Sequence, residues 1–238
     1  MTRLPRRPSL RCPDDTGNNS MTHAGERALT SSLDAPTRAL VVLAAHVAGS
    51  GETDMRAAVA TAVRECHSIW IEELILQTYL FAGFPRALNA AREWRRAAPD
   101  VAPPESDPAT EPEVWTREWR TRGEATCATI YGDAYERLRH NIKALHPALD
   151  TWMIVEGYGK VLSRPGLDLA RRELCIVAAC AHTGQERQLH SHLHGALNAG
   201  APAGSIDSTF DALDGVLSQK DMRASRMLWA RVRTQHAA

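Results

Sequence analysis

Leu169–Gly200 reads LARRELCIVAACAHTG followed by QERQLHSHLHGALNAG, and this stretch decides the fold class. Each half is a run of Ala, Leu and charged residues, the composition that favours helix. Each run stops at a glycine, Gly184 and then Gly200, where a helix can end in a left-handed residue. Asp168 stands in front of the first run as an N-cap. Neither run alternates apolar and polar residues as a half-buried strand would, and no such pattern occurs elsewhere in the chain. The spacing predicts a helical hairpin and an all-α protein.

Nearer the N-terminus, Thr37–Gly51 (TRALVVLAAHVAGSG) matches Arg171–Gln185 (RRELCIVAACAHTGQ) in order, length and glycine stop. Asp34 is its predicted cap, and Pro36 falls in its first turn. A second helix is expected over about Asp54–Glu65, and a third over Trp70–Gly83 (WIEELILQTYLFAG). Pro85 then opens a fourth, PRALNAAREWRRAA. On the far side of Leu169, Thr151–Leu162 (TWMIVEGYGKVL) reads as a helix before the SRPGLD turn. Ser205–Gln219 carries Ile206, Phe210, Leu213 and Leu217 at helical spacing, and a last helix is expected over about Asp221–Arg233. A lone helical hairpin cannot bury its apolar face, so the repeat predicts two diverged copies packed in tandem. The boundaries expected are a disordered arm over 1–28, a first unit over 29–98, a Pro-rich acidic linker over 99–114 and a second unit over 115–238. Trp94, Trp115 and Trp119 flank the linker, placed either to pack it down or to mark a subunit contact.

Composition excludes several classes. Lys+Arg and Asp+Glu each total 28, so no basic excess exists to neutralise nucleic-acid phosphates. The five cysteines (Cys12, Cys66, Cys127, Cys175 and Cys180) are odd in number and lack CxxC or zinc spacing. That usage suits free thiols in a reducing cytoplasm. No apolar run is long enough to span a bilayer. The basic start, MTRLPRRPSLRCPDD, lacks the apolar centre of a secretory signal, and Met21 is an alternative start. The expectation is a soluble cytoplasmic protein without cofactor, nucleic-acid or membrane partner.

YGKVLSRPGLDLARREL (158–174) with HSHLHGALNAG (190–200) resembles the front half of a carboxymuconolactone decarboxylase unit. EELILQTYLFAGFPRALNAA (72–91) resembles the back half of the same unit. The resemblance implies an all-α, AhpD-like helical bundle and a ring-shaped homo-oligomer, here a trimer of tandem chains or similar. It implies cofactor-independent decarboxylation of a small unsaturated lactone acid in aromatic-compound degradation. Each copy departs from the pattern. The first has Ala39 and Ala58 where the second has Glu173 and His192, and the second lacks the ELILQ–Y–GFP pattern of the first. A composite site follows, with the retained halves facing each other. Two alternatives stand beside it. One is an AhpD-like alkylhydroperoxidase, although Gln185 and Gln188 occupy the places of that branch's CxxC pair. The other is a non-catalytic oligomeric assembly protein with a degenerate site.

Decarboxylation needs a cation for the substrate acid, donors for the developing charge and a proton source. Glu173 and His192 are the catalytic candidates. Glu173, read as lying in the first turn, also suits dipole complementation or a pair with Arg171 or Arg172. His192 also suits a satisfied core histidine, because Gln188, Ala196 and Ala199 share its face. Residues two apart on a helix diverge, so His190, His192 and His194 cannot converge; His190 and His194 share the other face at i, i+4. A metal there lacks a nearby acidic or cysteine ligand, and none is expected. Arg164, Tyr158, Gln77 and Glu73 are the substrate-binding candidates. Gln77 is the odd polar residue among Leu74, Ile75, Leu76 and Leu80, and burying its amide demands a specific partner, backbone or ligand. The expectation is that Glu173, His192 and Arg164 share one enclosed hollow.

Overall fold

The computed structural model describes residues 29–103 and 115–236. The predicted N-terminal arm with Cys12 and Met21, linker residues 104–114, the side chain of Trp115 and residues 237–238 lie outside the described residues. The described chain is all-α, the class expected, with no strand among its described residues. In order the helices are α1 (Ala35–Gly49), α2 (Glu52–Glu65), α3 (Ser68–Ala97), α4 (Trp115–Tyr131), α5 (Tyr135–Leu145), α6 (Pro147–Trp152), a π-helical segment (Met153–Leu162), α7 (Leu169–His182), α8 (Glu186–Asn198), α9 (Ala203–Ala212) and α10 (Gln219–His236).

The two predicted caps form alike. Asp34 accepts from the Thr37 amide and Asp168 from the Arg171 amide, satisfying one exposed donor at each helix start. The third and fourth predicted helices are one element bent at Gly83, whose φ of 81° interrupts the helical backbone ahead of Pro85. The predicted helix over Thr151–Leu162 is a π-helix from Met153 onward, closed by the Ser163 amide on the Tyr158 carbonyl. Its wider turn changes which side chains face inward and buries Ile154, Tyr158 and Val161 together.

α1 and α7 form the centre and run parallel. At their starts the Arg171 guanidinium donates to Thr37 Oγ1 at 2.9 Å and to Asp168 at 2.7 Å, and lies over the Trp70 ring at 4.5 Å. At their ends Ser50 Oγ joins His46 Nδ1 (2.8 Å) to His182 Nε2 (3.1 Å). Leu40, Leu43, Val47, Leu174 and Val177 are buried along this contact, in a core that continues into Ile130, Ile154 and Leu193. α2 and α3 cover α1; α8 and α10 cover α7. α4 lies on the π-helical segment, where Gly123 meets the backbone of Ile154 and Gly159 meets that of Trp119, so closely that a Cβ at either position has no room.

Candidate active site

Glu173 and His192 come together across α7 and α8. His192 Nδ1 lies 2.8 Å from Glu173 Oε2, with Glu173 fully buried and His192 only 5% exposed. Glu173 is the fifth residue of α7, one turn further in than the sequence reading placed it. It pairs with neither Arg171 nor Arg172, because those side chains are held elsewhere. Gly195, one turn after His192, makes the approach possible: a Cβ there would stand 2.5 Å from Glu173 Oε2 and 2.8 Å from Ile130. The Phe81 ring meets the imidazole edge-on at 5.5 Å. Glu173 Oε1 has no hydrogen-bond partner among the described residues, an unusual condition for a buried carboxyl oxygen.

Two phenols stand beside the pair. Tyr158 donates its hydroxyl to the Tyr131 hydroxyl at 3.2 Å, and both rings feel the Glu173 charge. Burial pushes Tyr131 up to about 12, while hydrogen bonds from Tyr158 and Ser191 pull it back. Burial likewise drives Tyr158 well above the ordinary phenol range. Both hydroxyls therefore stay protonated at neutral pH and act as donors.

Arg164 does not join Glu173 and His192, so the expected meeting of these three side chains does not occur in this chain. Its guanidinium is bidentate on Glu73, Nε to Oε2 at 3.0 Å and Nη2 to Oε1 at 2.9 Å. Arg172, fully buried, donates to the same carboxylate at 2.8 Å and to Gln77 Oε1 at 3.2 Å. Gln77 returns its amide to the Arg172 carbonyl at 3.3 Å. The specific partner that Gln77 required is thus an arginine with its own carbonyl. Adjacent residues of a helix point about 100° apart, which is why Arg172 reaches α3 while Glu173 reaches α8. Glu73, Gln77 and Arg164 form a charged tie between α3, the α7 start and the loop before it. One carboxylate thus carries two guanidiniums, and Arg164 is already engaged with Glu73.

Glu73 and Arg164 also line a groove of about 540 Å³ with Ile75, Leu76, Phe84 and Lys160. A separate hollow of about 320 Å³ lies beside Tyr131, between α4, α5 and α8. Neither is lined by Glu173 or His192. Cys127, Cys175 and Cys180 are buried and Cys66 partly so, and burial raises all four thiols, Cys127 and Cys180 to about 12. Gln185 and Gln188, at the places of the CxxC pair, are exposed. His190 and His194 meet edge-on at 4.9 Å, and no group of three or more metal-ligating side chains occurs among the described residues.

Sequence reasoning missed Arg172, Tyr131 and Phe81 as neighbours of the site. Arg172 stands in a charged cluster with Arg171 and Glu173, so nothing local set it apart as the buried one. Tyr131 lies outside the motifs and comes to Tyr158 only through the α4 crossing.

Residues 148–216 match the carboxymuconolactone decarboxylase family. The chain is also similar to two yeast proteins named peroxisomal protein 2. That of Schizosaccharomyces pombe is 30% identical over 132 residues, covering 55% of this chain and 61% of that protein. That of Saccharomyces cerevisiae is 25% identical over 159 residues, covering 57% of this chain and 56% of that protein. The matches thus span less than two thirds of these relatives' own length. The motif residues Glu173 and His192, and the packing of α7 on α8, all fall inside the matched segment. The all-helical segment 148–216, which holds Glu173 and His192, is thus similar to the carboxymuconolactone decarboxylase family.

Proposed function

We propose that the chain is a cofactor-independent carboxy-lyase acting on a small unsaturated lactone acid, with His192 as proton donor and Glu173 as its partner. The observation that carries this reading is the buried 2.8 Å contact between Glu173 and His192 Nδ1. A carboxylate accepting from Nδ1 fixes the tautomer and orientation of the ring and leaves Nε2 to face a substrate. The bond from the substrate carbon to its carboxylate breaks, CO2 leaves, and the electron pair moves into the conjugated lactone. The imidazolium then gives its Nε2 proton to carbon, and solvent restores it. A low-dielectric setting strengthens each of these interactions.

The test is CO2 release from 4-carboxymuconolactone. His192→Gln keeps the ring's approximate volume, and it is expected to lower turnover by about 10²- to 10⁴-fold, the usual contribution of a positioned acid. Turnover within a few fold of the parent in a variant with an unchanged circular dichroism spectrum removes histidine from the mechanism.

A second reading is the non-catalytic assembly protein, favoured by the absence of Glu173 and His192 from the lining of the groove at Glu73 and of the hollow beside Tyr131. Complete absence of CO2 release in the parent chain selects it. The hydroperoxidase reading lacks a CxxC pair in the sequence and, among the described residues, any lowered thiol. We propose two diverged units, 29–98 and 115–238, joined by the 99–114 linker, and a ring-shaped trimer of the chain. The exposed Ile69, Leu76, Phe84 and Leu88 on α3 supply apolar surface for such contacts. Light scattering that returns a monomer at micromolar concentration excludes the ring. No described helix is long and apolar enough to cross a membrane. The proposed compartment is the cytoplasm, and import of a tagged chain into peroxisomes, the location in the relatives' name, overturns it.

A further inference from the structure

The hollow of about 320 Å³ between α4, α5 and α8 is walled on one side by the outer face of the HSHLHGALNAG helix and on the other by α4 and α5, which no motif covers. Its walls carry donors: Arg137 and Asn141 from α5, Tyr131 from α4, and His190, Ser191 and His194 from α8. Ile130 and Leu138 supply apolar surface, and no carboxylate lines it. Arg137 is exposed and has no ion pair or hydrogen bond with another described residue. This differs from the groove at Glu73, where Arg164 and Arg95 already hold Glu73 and Glu72. An anion entering that groove must compete with a protein carboxylate, whereas no carboxylate lines the hollow.

The hollow abuts the buried pair. Ser191 on its wall precedes His192 in sequence. Ile130 on its wall packs where Gly195 admits Glu173, and Asn198 ties α8 to the Ile130 carbonyl at 2.8 Å. Tyr131 bridges the two regions, its hydroxyl accepting from Tyr158 while its ring lines the hollow. The size is at the lower end for a small-molecule site. A planar acid of one ring matches the combination of an apolar wall, one unpaired guanidinium and several further hydrogen-bonding side chains. Guanidinium geometry suits a carboxylate in particular.

We infer that this hollow is the entry and anchoring site for a small cyclic carboxylate, held by Arg137 and presented through Tyr131 to the Glu173–His192 pair. The inference rests on the lyase reading for what happens next, but the binding stands on its own.

The experiment is calorimetric titration of the full chain with benzoate, and with benzamide as its uncharged counterpart. Benzoate is expected to bind saturably and benzamide much more weakly. Arg137→Gln is a surface change that leaves packing intact, and it is expected to weaken benzoate by about tenfold or more, the loss of one charge-assisted contact. Lys160→Gln, in the other groove, is expected to change affinity by less than about twofold, as a screened surface charge should. His192→Gln is expected to keep benzoate binding while losing CO2 release. The assignment is overturned if benzoate fails to saturate, if benzamide binds equally well, or if Lys160→Gln weakens binding and Arg137→Gln does not. Benzoate binding through Arg137 without any CO2 release keeps the site and removes the lyase reading. CO2 release that is unchanged in Arg137→Gln, with benzoate binding also unchanged, removes the site and keeps the lyase reading.

Discussion

The helix pairs α1–α2 and α7–α8 are built alike and filled differently. Both begin on an aspartate cap, both end at a small residue and a turn, and their first helices lie side by side at the centre of the molecule. Where α7 and α8 bring Glu173 against His192, α1 and α2 present Ala39 and Ala58. Those alanines line a hollow of about 240 Å³ together with His46 and Asp54. One backbone arrangement therefore supports either a filled acid–imidazole contact or an open space. Packing between the two central helices needs their inner faces; chemistry needs two residues on an outer face, which one pair has and the other lacks.

The largest expected effect tests whether the two halves depend on one another. Glu73→Ala leaves the buried Arg172 without its carboxylate, and an orphaned buried charge costs about 3–5 kcal/mol. Urea unfolding followed by fluorescence should show that loss in a single transition. A transition that splits in two, with the α7–α8 half unaffected, shows that the halves are independent.

A smaller effect compares the filled position with the open one. His192→Ala removes the one hydrogen-bond partner of a buried carboxyl and is expected to cost about 2–3 kcal/mol. Ala58→His enters a position beside an existing hollow and should cost less than about 1 kcal/mol. Equal costs in thermal unfolding would mean that the two positions are not equivalent in their surroundings.

The smallest effect concerns pH. His46 and His182, joined through Ser50, are both held below the ordinary 6.5, each chiefly by burial. For His46 the Asp54 charge opposes the shift; for His182 the His46 and Arg86 charges add to it and Asp221 opposes it. A depressed folded value means that the unfolded chain binds the proton more readily, so their contribution is full above the ordinary histidine value and lost as pH falls through the lowered ones. The urea midpoint should decline on acidification below about pH 6.5, and His182→Gln should flatten that decline. An unchanged slope in the variant assigns the acid limb to other groups.

Much of the fold was legible because it depends on neighbours in sequence. Asp34 and Asp168 act as caps on amides three residues ahead, and Gly83 breaks its helix ahead of Pro85. The divergence of His190 and His194 from His192 follows from helical geometry alone. The Glu173–His192 pairing came from motif resemblance, and the structure places the two in contact. Arg164 was read as a loop cation for an anion, and nothing local announced that Glu73, 91 residues earlier, would hold it. The π-helical turn at Met153–Leu162 was also hidden, because its apolar pattern differs little from that of an α-helix.

From the order of residues alone came the helix starts and stops, the all-α class and the kinds of side chain available for chemistry, since these rest on contacts within about one turn. Which carboxylate meets which cation was decided only when α3, α7 and α8 packed. A buried charge takes the partner that its helix face is turned towards, and that direction is set by crossing helices distant in the chain.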